Sequence, residues 1–311
     1  MAVIALPLAM GGQVTSYTVY SLLQTFATYG LVALALGLTV LSGEYDISVL
    51  GMYGLGGMLA AVLGADNPLL GVGAAVLVGA ISGLVQGLVI TRIGIDSMAV
   101  TLGGYLILLG LTQTVGGSRT VQIDNIPLSM VLSTPVLSVF SVQSLVVFGI
   151  FVFAWLLLRY TTVGRDLRAV GADRRTSRVV GVRTDGILVG VFMTSGMLAG
   201  LAGAANAFVL AAAVANPGLG PLVFATTAVL IGGIAITGGI GSVWGIVGGA
   251  LALAAFRAAF ASIASPNWVL DLVMGMLLAI AVTISAPGFI LRIRSRRILA
   301  GARRPKERNA A

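Results

Sequence analysis

Two carboxylates stand between apolar stretches near the start of the chain, in the segment 41–48. Ionisable groups among long apolar runs are costly to bury, so they normally face a bundle interior or a wet cavity. Asp46 is equally suited to cap a helix that begins near Ile47, by accepting a backbone N–H. We predict that Glu44, Asp46 and Ser48 line a path between helices, and a capping role for Asp46 is compatible with this.

Several reactive residue types are missing from the sequence, which has no Cys, no His and a single lysine, Lys306. Thiolate and imidazole metal sites, disulfides and Cys or Ser/His nucleophiles are therefore excluded. No Gly-x-x-x-x-Gly-Lys-Ser/Thr run is present, which excludes nucleotide binding through a phosphate loop. We predict that the chain is not an enzyme and that it holds no metal or cofactor of its own.

The composition is that of a membrane protein, since 58% of the 311 residues are hydrophobic, 9% are charged and the mean hydropathy is +1.06. A helix needs about 20 apolar residues to cross a bilayer. We predict an all-α, polytopic transmembrane bundle of about nine spans, some of them broken at paired glycines. The spans are predicted at 17–41, 47–64, 69–91, 97–117, 141–158, 186–214, 222–238, 243–262 and 268–290.

The net charge of +8 comes mainly from two basic clusters, 159–183 and 292–308. Both clusters lie beside apolar spans, so the positive-inside rule places them in the cytoplasm and a nucleic-acid partner is not expected. This orientation puts the N-terminus and the segment 118–143 outside and the C-terminus inside. We predict a single transmembrane domain over residues 1–291, with a cytoplasmic loop at 159–185, and a basic cytoplasmic tail over 292–311 near anionic lipid.

Many of the 43 glycines have the spacing that lets helix backbones approach closely. We predict from this spacing that the bundle is tightly packed. The glycines concerned are Gly79, Gly83, Gly87, Gly196, Gly200, Gly241, Gly245 and Gly249.

The basic loop contains the signals of a short helix, because Asp173 can cap its start and Gly181 can end it. Arg174, Arg175 and Arg178 then lie on adjoining turns. A membrane anchor would need only the positive charge and not a helix bounded in this way. We therefore predict that this segment docks into a groove on a cytoplasmic partner.

A few polar residues fall inside the other apolar spans. Arg257 and Asp271 lie at similar depth near the outer ends of the last two spans, and because an isolated buried charge is costly we predict that they either pair across helices or extend their charged ends towards the membrane surface. Thr101 and Asn206 are predicted to hydrogen-bond between helices or to a solute hydroxyl in the path.

Four groups of short motifs occur together: Gly-Glu-Tyr-Asp-Ile-Ser-Val at 43–49; Ala-Val-Thr-Leu-Gly at 99–103; Thr-Val-Gly-Arg at 162–165 leading to Ala-Val-Gly at 169–171 and Val-Gly-Val at 180–182; and Ser-Gly-Met-Leu-Ala-Gly-Leu-Ala-Gly at 195–203. Each is weak alone, but the combination is specific. From about residue 14 to residue 290, the chain resembles the permease subunits of ribose-type sugar ABC importers. Branched-chain amino-acid permeases share the architecture, but there the first long span is followed by a Ser-Leu-Gly-His pattern that this chain lacks.

The resemblance implies a bacterial inner-membrane permease that carries a sugar or similar small polar solute. Its implied partners are an external solute-binding protein, a second permease copy in a homodimer or related heterodimer, membrane lipid, and an ATPase subunit that holds ATP and Mg. The loop matching the family's coupling helix supplies these expected ATPase contacts: Gly164, Arg165, Gly171, Ala172, Asp173, Arg174, Arg175, Arg178 and Gly181.

This sequence departs from the family pattern in two places. Sugar permeases usually begin with a further transmembrane helix, where only Met1 to Met10 stands here, so we expect that the chain is either shortened or begins at an internal start. Leu222 and Phe224 occupy positions where many sugar permeases have acidic residues. Branched-chain amino acids or nucleosides therefore remain alternative cargoes. An ion-coupled secondary transporter is the alternative class, with Glu44, Asp46 or Asp271 binding the coupling ion.

Overall fold

The computed structural model describes residues 15–136, 138–262 and 266–285. Within them the chain forms twelve helices and one pair of two-residue strands. In chain order they are α1 (Ser16–Leu41), α2 (Ser48–Leu63), α3 (Pro68–Ile93), α4 (Ser97–Gly116), β1 (Val121–Gln122), α5 (Ile126–Ser133), α6 (Val142–Tyr160), α7 (Thr162–Ala172), α8 (Arg174–Val179), α9 (Thr184–Leu210), β2 (Ala212–Ala213), α10 (Gly220–Ile231), α11 (Val243–Ser262) and α12 (Asn267–Ser285). The predicted basic tail, 292–311, lies outside the described residues.

Seven of these helices are long and apolar enough to cross a membrane, and two more, α2 and α10, are shorter apolar helices. Together they correspond to the nine predicted segments, so the predicted polytopic helical bundle is confirmed. One helix is shorter than predicted: the span predicted at 222–238 corresponds to α10, which ends at Ile231. Gly233, Gly238 and Gly239 have positive φ angles, which break the helix and form the turn before α11.

The centre of the bundle is α9, which packs against α3 on one side and α2 on the other. Glycines on facing helices allow the backbones to touch: a Cβ atom on Gly79 would overlap the carbonyl oxygen of Gly196, and one on Gly196 would overlap that of Gly79. On the other side, a Cβ atom on Gly203 would overlap the carbonyl oxygen of Tyr53. The tight packing predicted from glycine spacing is therefore confirmed.

The bundle has two ends that differ in structure. At one end, α7 and α8 with Gly181 form a compact unit, residues 162–181, which we call the knob. It lies beside the end of α1 and the turn between α10 and α11. At the opposite end, which we call the far end, the paired strands and α5 cover the start of α1 and the end of α9: β1 pairs with β2, and Ser129 Oγ donates to the Val209 carbonyl oxygen at 2.8 Å.

Candidate functional site

The start of α8 is capped by Asp173, as the sequence predicts. Asp173 Oδ1 accepts hydrogen bonds from the backbone N–H groups of Arg175 at 2.8 Å and Thr176 at 3.0 Å. These bonds favour the charged carboxylate, and the one from the Thr176 backbone contributes most to holding the pKa of Asp173 below its usual value. Gly181 follows the helix with a φ of +89°. The knob is therefore a structured unit.

Two of the three arginines of α8 are used inside the chain. Arg174 Nη1 lies 3.5 Å from Glu44 Oε1, and its Nη2 lies 3.2 Å from Asp185 Oδ1. Arg178 Nη2 lies 2.8 Å from the same Asp185 oxygen. Such partly exposed pairs contribute little stability, but they orient the side chains. They connect the knob to the segment after α1 and to the start of α9.

The face of the knob that projects from the bundle is partly apolar. Val179 is 84% exposed and Val180 is 73% exposed, and Arg175 beside them is also exposed. Adjacent apolar side chains with this exposure mark a contact surface better than charge alone does. Neither valine was predicted from the sequence, although a Val-Val pair at the end of a basic helix is the signal that could have identified them.

The knob is joined to the bundle by contact between backbones. A Cβ atom on Gly171 would overlap the carbonyl oxygen of Leu41 and would lie 2.6 Å from the backbone nitrogen of Gly239. Gly239 itself donates a backbone hydrogen bond of 2.9 Å to the Leu41 carbonyl oxygen. Three chain segments, the end of α1, the end of α7 and the turn before α11, therefore meet at one point where no side chain intervenes.

Asp46 lies inside the bundle with 2% exposure. Its Oδ1 accepts from the backbone N–H of Ser48 at 2.9 Å and from Ser48 Oγ at 2.6 Å, and its Oδ2 accepts from Ser195 Oγ at 2.7 Å. As predicted, Asp46 accepts a backbone N–H at the start of α2, but it does so from the position before the N-cap, which is Ile47 and makes no side-chain capping bond. The bond to Ser195 also connects the start of α2 to the middle of α9.

Thr101 and Ser97 extend this polar contact to α4. Tyr45 N–H donates to Ser97 Oγ at 3.2 Å, and Thr101 Oγ1 lies 3.3 Å from the Tyr45 carbonyl oxygen, to which it donates besides its bond to the Ser97 carbonyl oxygen within α4. On the other side, the Tyr45 hydroxyl lies 2.6 Å from Thr226 Oγ1 on α10. In the described structure Asp46 bonds to Ser195 of α9, Thr101 bonds to the Tyr45 carbonyl oxygen, Ser48 bonds to Asp46, and Glu44 pairs with Arg174. Their role in a path remains a prediction.

Asn206, the last predicted path residue, lines two adjoining cavities near the far end. One has a volume of about 160 Å³ and the other about 350 Å³, and both are also lined by Tyr29 and Leu210. The larger one is bordered by a stripe of α1 residues whose helical spacing was visible in the sequence but was not recognised: Tyr17, Tyr20, Ser21, Gln24, Thr25 and Thr28.

Arg257 also lines the larger cavity, and its predicted partner is wrong. Its guanidinium carbon lies 5.3 Å from the centre of the Tyr29 ring. None of the ion pairs found among the described residues joins it to Asp271. The cation therefore rests on an aromatic face, an arrangement that partly compensates for the loss of water around a guanidinium.

A glycine-packed bundle with seven long apolar helices, a structured knob at one end and polar cavities near the other defines a membrane permease. Residues 18–282 match the family described as the branched-chain amino acid transport system permease component, and the chain belongs to this family. It is 32% identical over 272 residues to the autoinducer 2 import system permease protein LsrC of Yersinia pseudotuberculosis serotype O:1b, covering 83% of this chain and 76% of that protein.

A second relative is the fructose import permease protein FrcC of Rhizobium meliloti, which is 28% identical over 296 residues, covering 91% of this chain and 82% of the relative. No solved structure matches the chain. The chain is thus a multi-pass inner-membrane permease subunit of an ABC importer and not itself an enzyme. Its family implies an ATPase on a separate subunit and a solute-binding protein as partners.

Proposed function

We propose that the chain forms the translocation path for a sugar-like, polyhydroxylated solute. Two relatives are named for the import of fructose and of autoinducer 2. The cavities near the far end support the same solute class, because Asn206 offers both a donor and an acceptor and the tyrosines nearby offer hydroxyls and aromatic faces. The family description names branched-chain amino acids, whose apolar side chains suit such a lining less well.

The knob lies on the cytoplasmic side in this proposal, and the far end faces the binding protein. The distribution of basic residues carries the orientation, since the knob holds most of the arginines between α6 and α9 and the far end is poor in them. ATP-driven closure of the ATPase would move the knob. Through Gly171, Leu41 and Gly239 that movement would reach α1 and α11 directly.

The outward faces of the bundle support a second permease copy and a lipid boundary. The helices α3, α4 and α12 leave most of their apolar surface uncovered within the chain. Such surface is stable against lipid tails or against another helix bundle. We assign part of it to a second copy, identical or related, and the rest to lipid.

Within the knob, the ATPase contact is assigned to Arg175, Val179 and Val180. Arg174 and Arg178 are engaged with Glu44 and Asp185, whereas the two valines project outward. An apolar pair with a basic rim fits a shallow groove on a protein surface.

The double substitution Val179→Glu/Val180→Glu is expected to abolish association with the ATPase. Two carboxylates would enter the contact in place of two apolar side chains, and each buried charge without a partner weakens binding strongly. The measurement is co-purification of the ATPase with a tagged permease from detergent-solubilised membranes. We expect retention to fall at least about tenfold.

The control is Met130→Glu/Val131→Glu on α5, an adjacent pair at the far end that is 61% and 58% exposed. It introduces the same charges and is expected to leave ATPase retention unchanged. Unaltered thermal stability of both variants would show that folding is intact. Equal retention by the two variants would contradict the assigned docking face.

A further inference from the structure

Arg257 is a charged residue in a long apolar helix that borders a polar cavity. It stands fourteen positions after the start of α11, which places it about 21 Å along the helix from the knob end. The Tyr29 ring covers one face of the guanidinium, and the cavity of about 350 Å³ adjoins it. The guanidinium therefore borders an open polar cavity near the far end.

The charge of Arg257 is not neutralised within the described part of the chain. The ion pairs found there all belong to the knob end, where they involve Arg165, Arg174 and Arg178. Only one of the ten acidic residues, Glu307, lies outside the described residues. A guanidinium in an apolar helix, even near its far end, needs oxygen atoms or water to accept from its N–H groups. The aromatic face of Tyr29 satisfies none of these donors.

The other polar side chains around the cavity can complete a solute site. Asn206 borders both cavities, and its amide can accept and donate. Gln24 is held in place instead, because Ser141 Oγ donates to its Oε1 at 2.7 Å and its Nε2 donates to Gln143 Oε1 at 2.6 Å. Thr28 contributes a hydroxyl that bonds to the Gln24 carbonyl oxygen at 2.9 Å. A volume of about 350 Å³ is at the lower end of the range of about 300–1,000 Å³ found for small-molecule sites.

We propose that the two cavities form a solute site near the far end, in which Arg257 binds solute oxygen atoms and selects neutral and anionic polyhydroxylated solutes against cationic ones. The positive potential of an unneutralised guanidinium beside this open polar cavity attracts carboxylates and hydroxyl oxygens and repels ammonium groups. This selection rests on the proposed function, since it assigns a charge preference to the same path. An amino sugar with a free ammonium group is accordingly a poor cargo.

The absence of cysteine makes a direct test of the cavity available. Asn206→Cys is introduced into the full-length permease, co-expressed with its ATPase, and labelled in spheroplasts with membrane-impermeant thiosulfonates, one anionic (sulfonatoethyl) and one cationic (trimethylammonioethyl). Rates are normalised to Gln122→Cys, an exposed far-end position on β1. We expect the normalised anionic-to-cationic rate ratio to exceed one by about three- to tenfold.

Adding Arg257→Gln should return this ratio to about one, whereas Arg257→Lys should preserve it, because the selection depends on the charge. Thr28→Cys repeats the test from α1, so the result does not depend on the folding of one variant. A ratio near one that Arg257→Gln leaves unchanged, or a thiol that external reagents do not reach, would overturn the solute site. ATPase co-purification is measured in the same samples and reports separately on the proposed function.

Discussion

Gly196→Ala is expected to lower the apparent midpoint of thermal unfolding of the detergent-solubilised protein by about 5 °C or more. The added methyl group would overlap the carbonyl oxygen of Gly79 on α3, and a backbone atom cannot move aside as a flexible side chain can. The two helices would have to separate along their contact, which would weaken the packing of α9 against α3. Tryptophan fluorescence or light scattering during a temperature ramp measures the midpoint.

The matched control is Gly190→Ala, six residues earlier in the same helix. A Cβ atom there has no neighbour within 4 Å, and alanine favours a helix over glycine. We expect this variant to unfold at the same temperature as the parent or slightly above it. If both variants shifted equally, the loss would come from α9 itself and not from its contact with α3, and the proposed role of the glycine contact would be wrong.

The close contact between α3 and α9 could be predicted from the glycine spacing. Gly79 and Gly83 lie four residues apart on α3, as do Gly196 and Gly200 on α9, and in lipid such faces pack by close approach of backbones. The long apolar runs also predicted nine apolar segments, which correspond to seven long helices and two shorter ones. The length of α10 was less predictable, because Gly232 and Gly233 are as compatible with a packed helix as with a break. The break follows from positive φ at Gly233, Gly238 and Gly239.

The candidate site was predictable where the signals are local. Asp173, Gly181 and Asp46 act on residues within a few positions of themselves, so capping could be predicted from sequence. The pairing of Arg174 with Glu44 could not, because 130 positions separate them. The position of a charged residue along its helix also did not predict the residue that it contacts.

Arg257 illustrates that failure. Asp271 stands at a similar depth on the next helix, yet the guanidinium lies over Tyr29 of α1. Which face of a helix a residue occupies depends on the packing of all neighbouring helices, and apolar sequences with little amphipathic pattern do not reveal it. For the same reason, the polar residues of α1 could be seen in the sequence, but the cavity that they border could not be predicted.

Gly171→Ala is expected to reduce solute transport by at least about tenfold while leaving ATP hydrolysis and ATPase binding largely intact. Its methyl group would overlap the Leu41 carbonyl oxygen and crowd Gly239, at the point where the knob meets α1 and the turn before α11. The docking face at Val179 and Val180 lies on another helix and would remain available. ATP-driven movement would then reach the knob but be transmitted poorly to the bundle.

The measurement is solute uptake per ATP hydrolysed, in proteoliposomes that contain the permease, the ATPase and the loaded binding protein. Gly186→Ala is the control, because it lies at the same end of the bundle, in the first turns of α9, with no atom within 4 Å of an added Cβ. Normal coupling in the control and a low ratio in Gly171→Ala would assign transmission to the backbone contact. A variant at Gly171 that transports normally would show that the ion pairs of Arg174 with Glu44 and Asp185 suffice to connect the knob to the helices. Charge reversal at Glu44 would then be the change that uncouples the transporter.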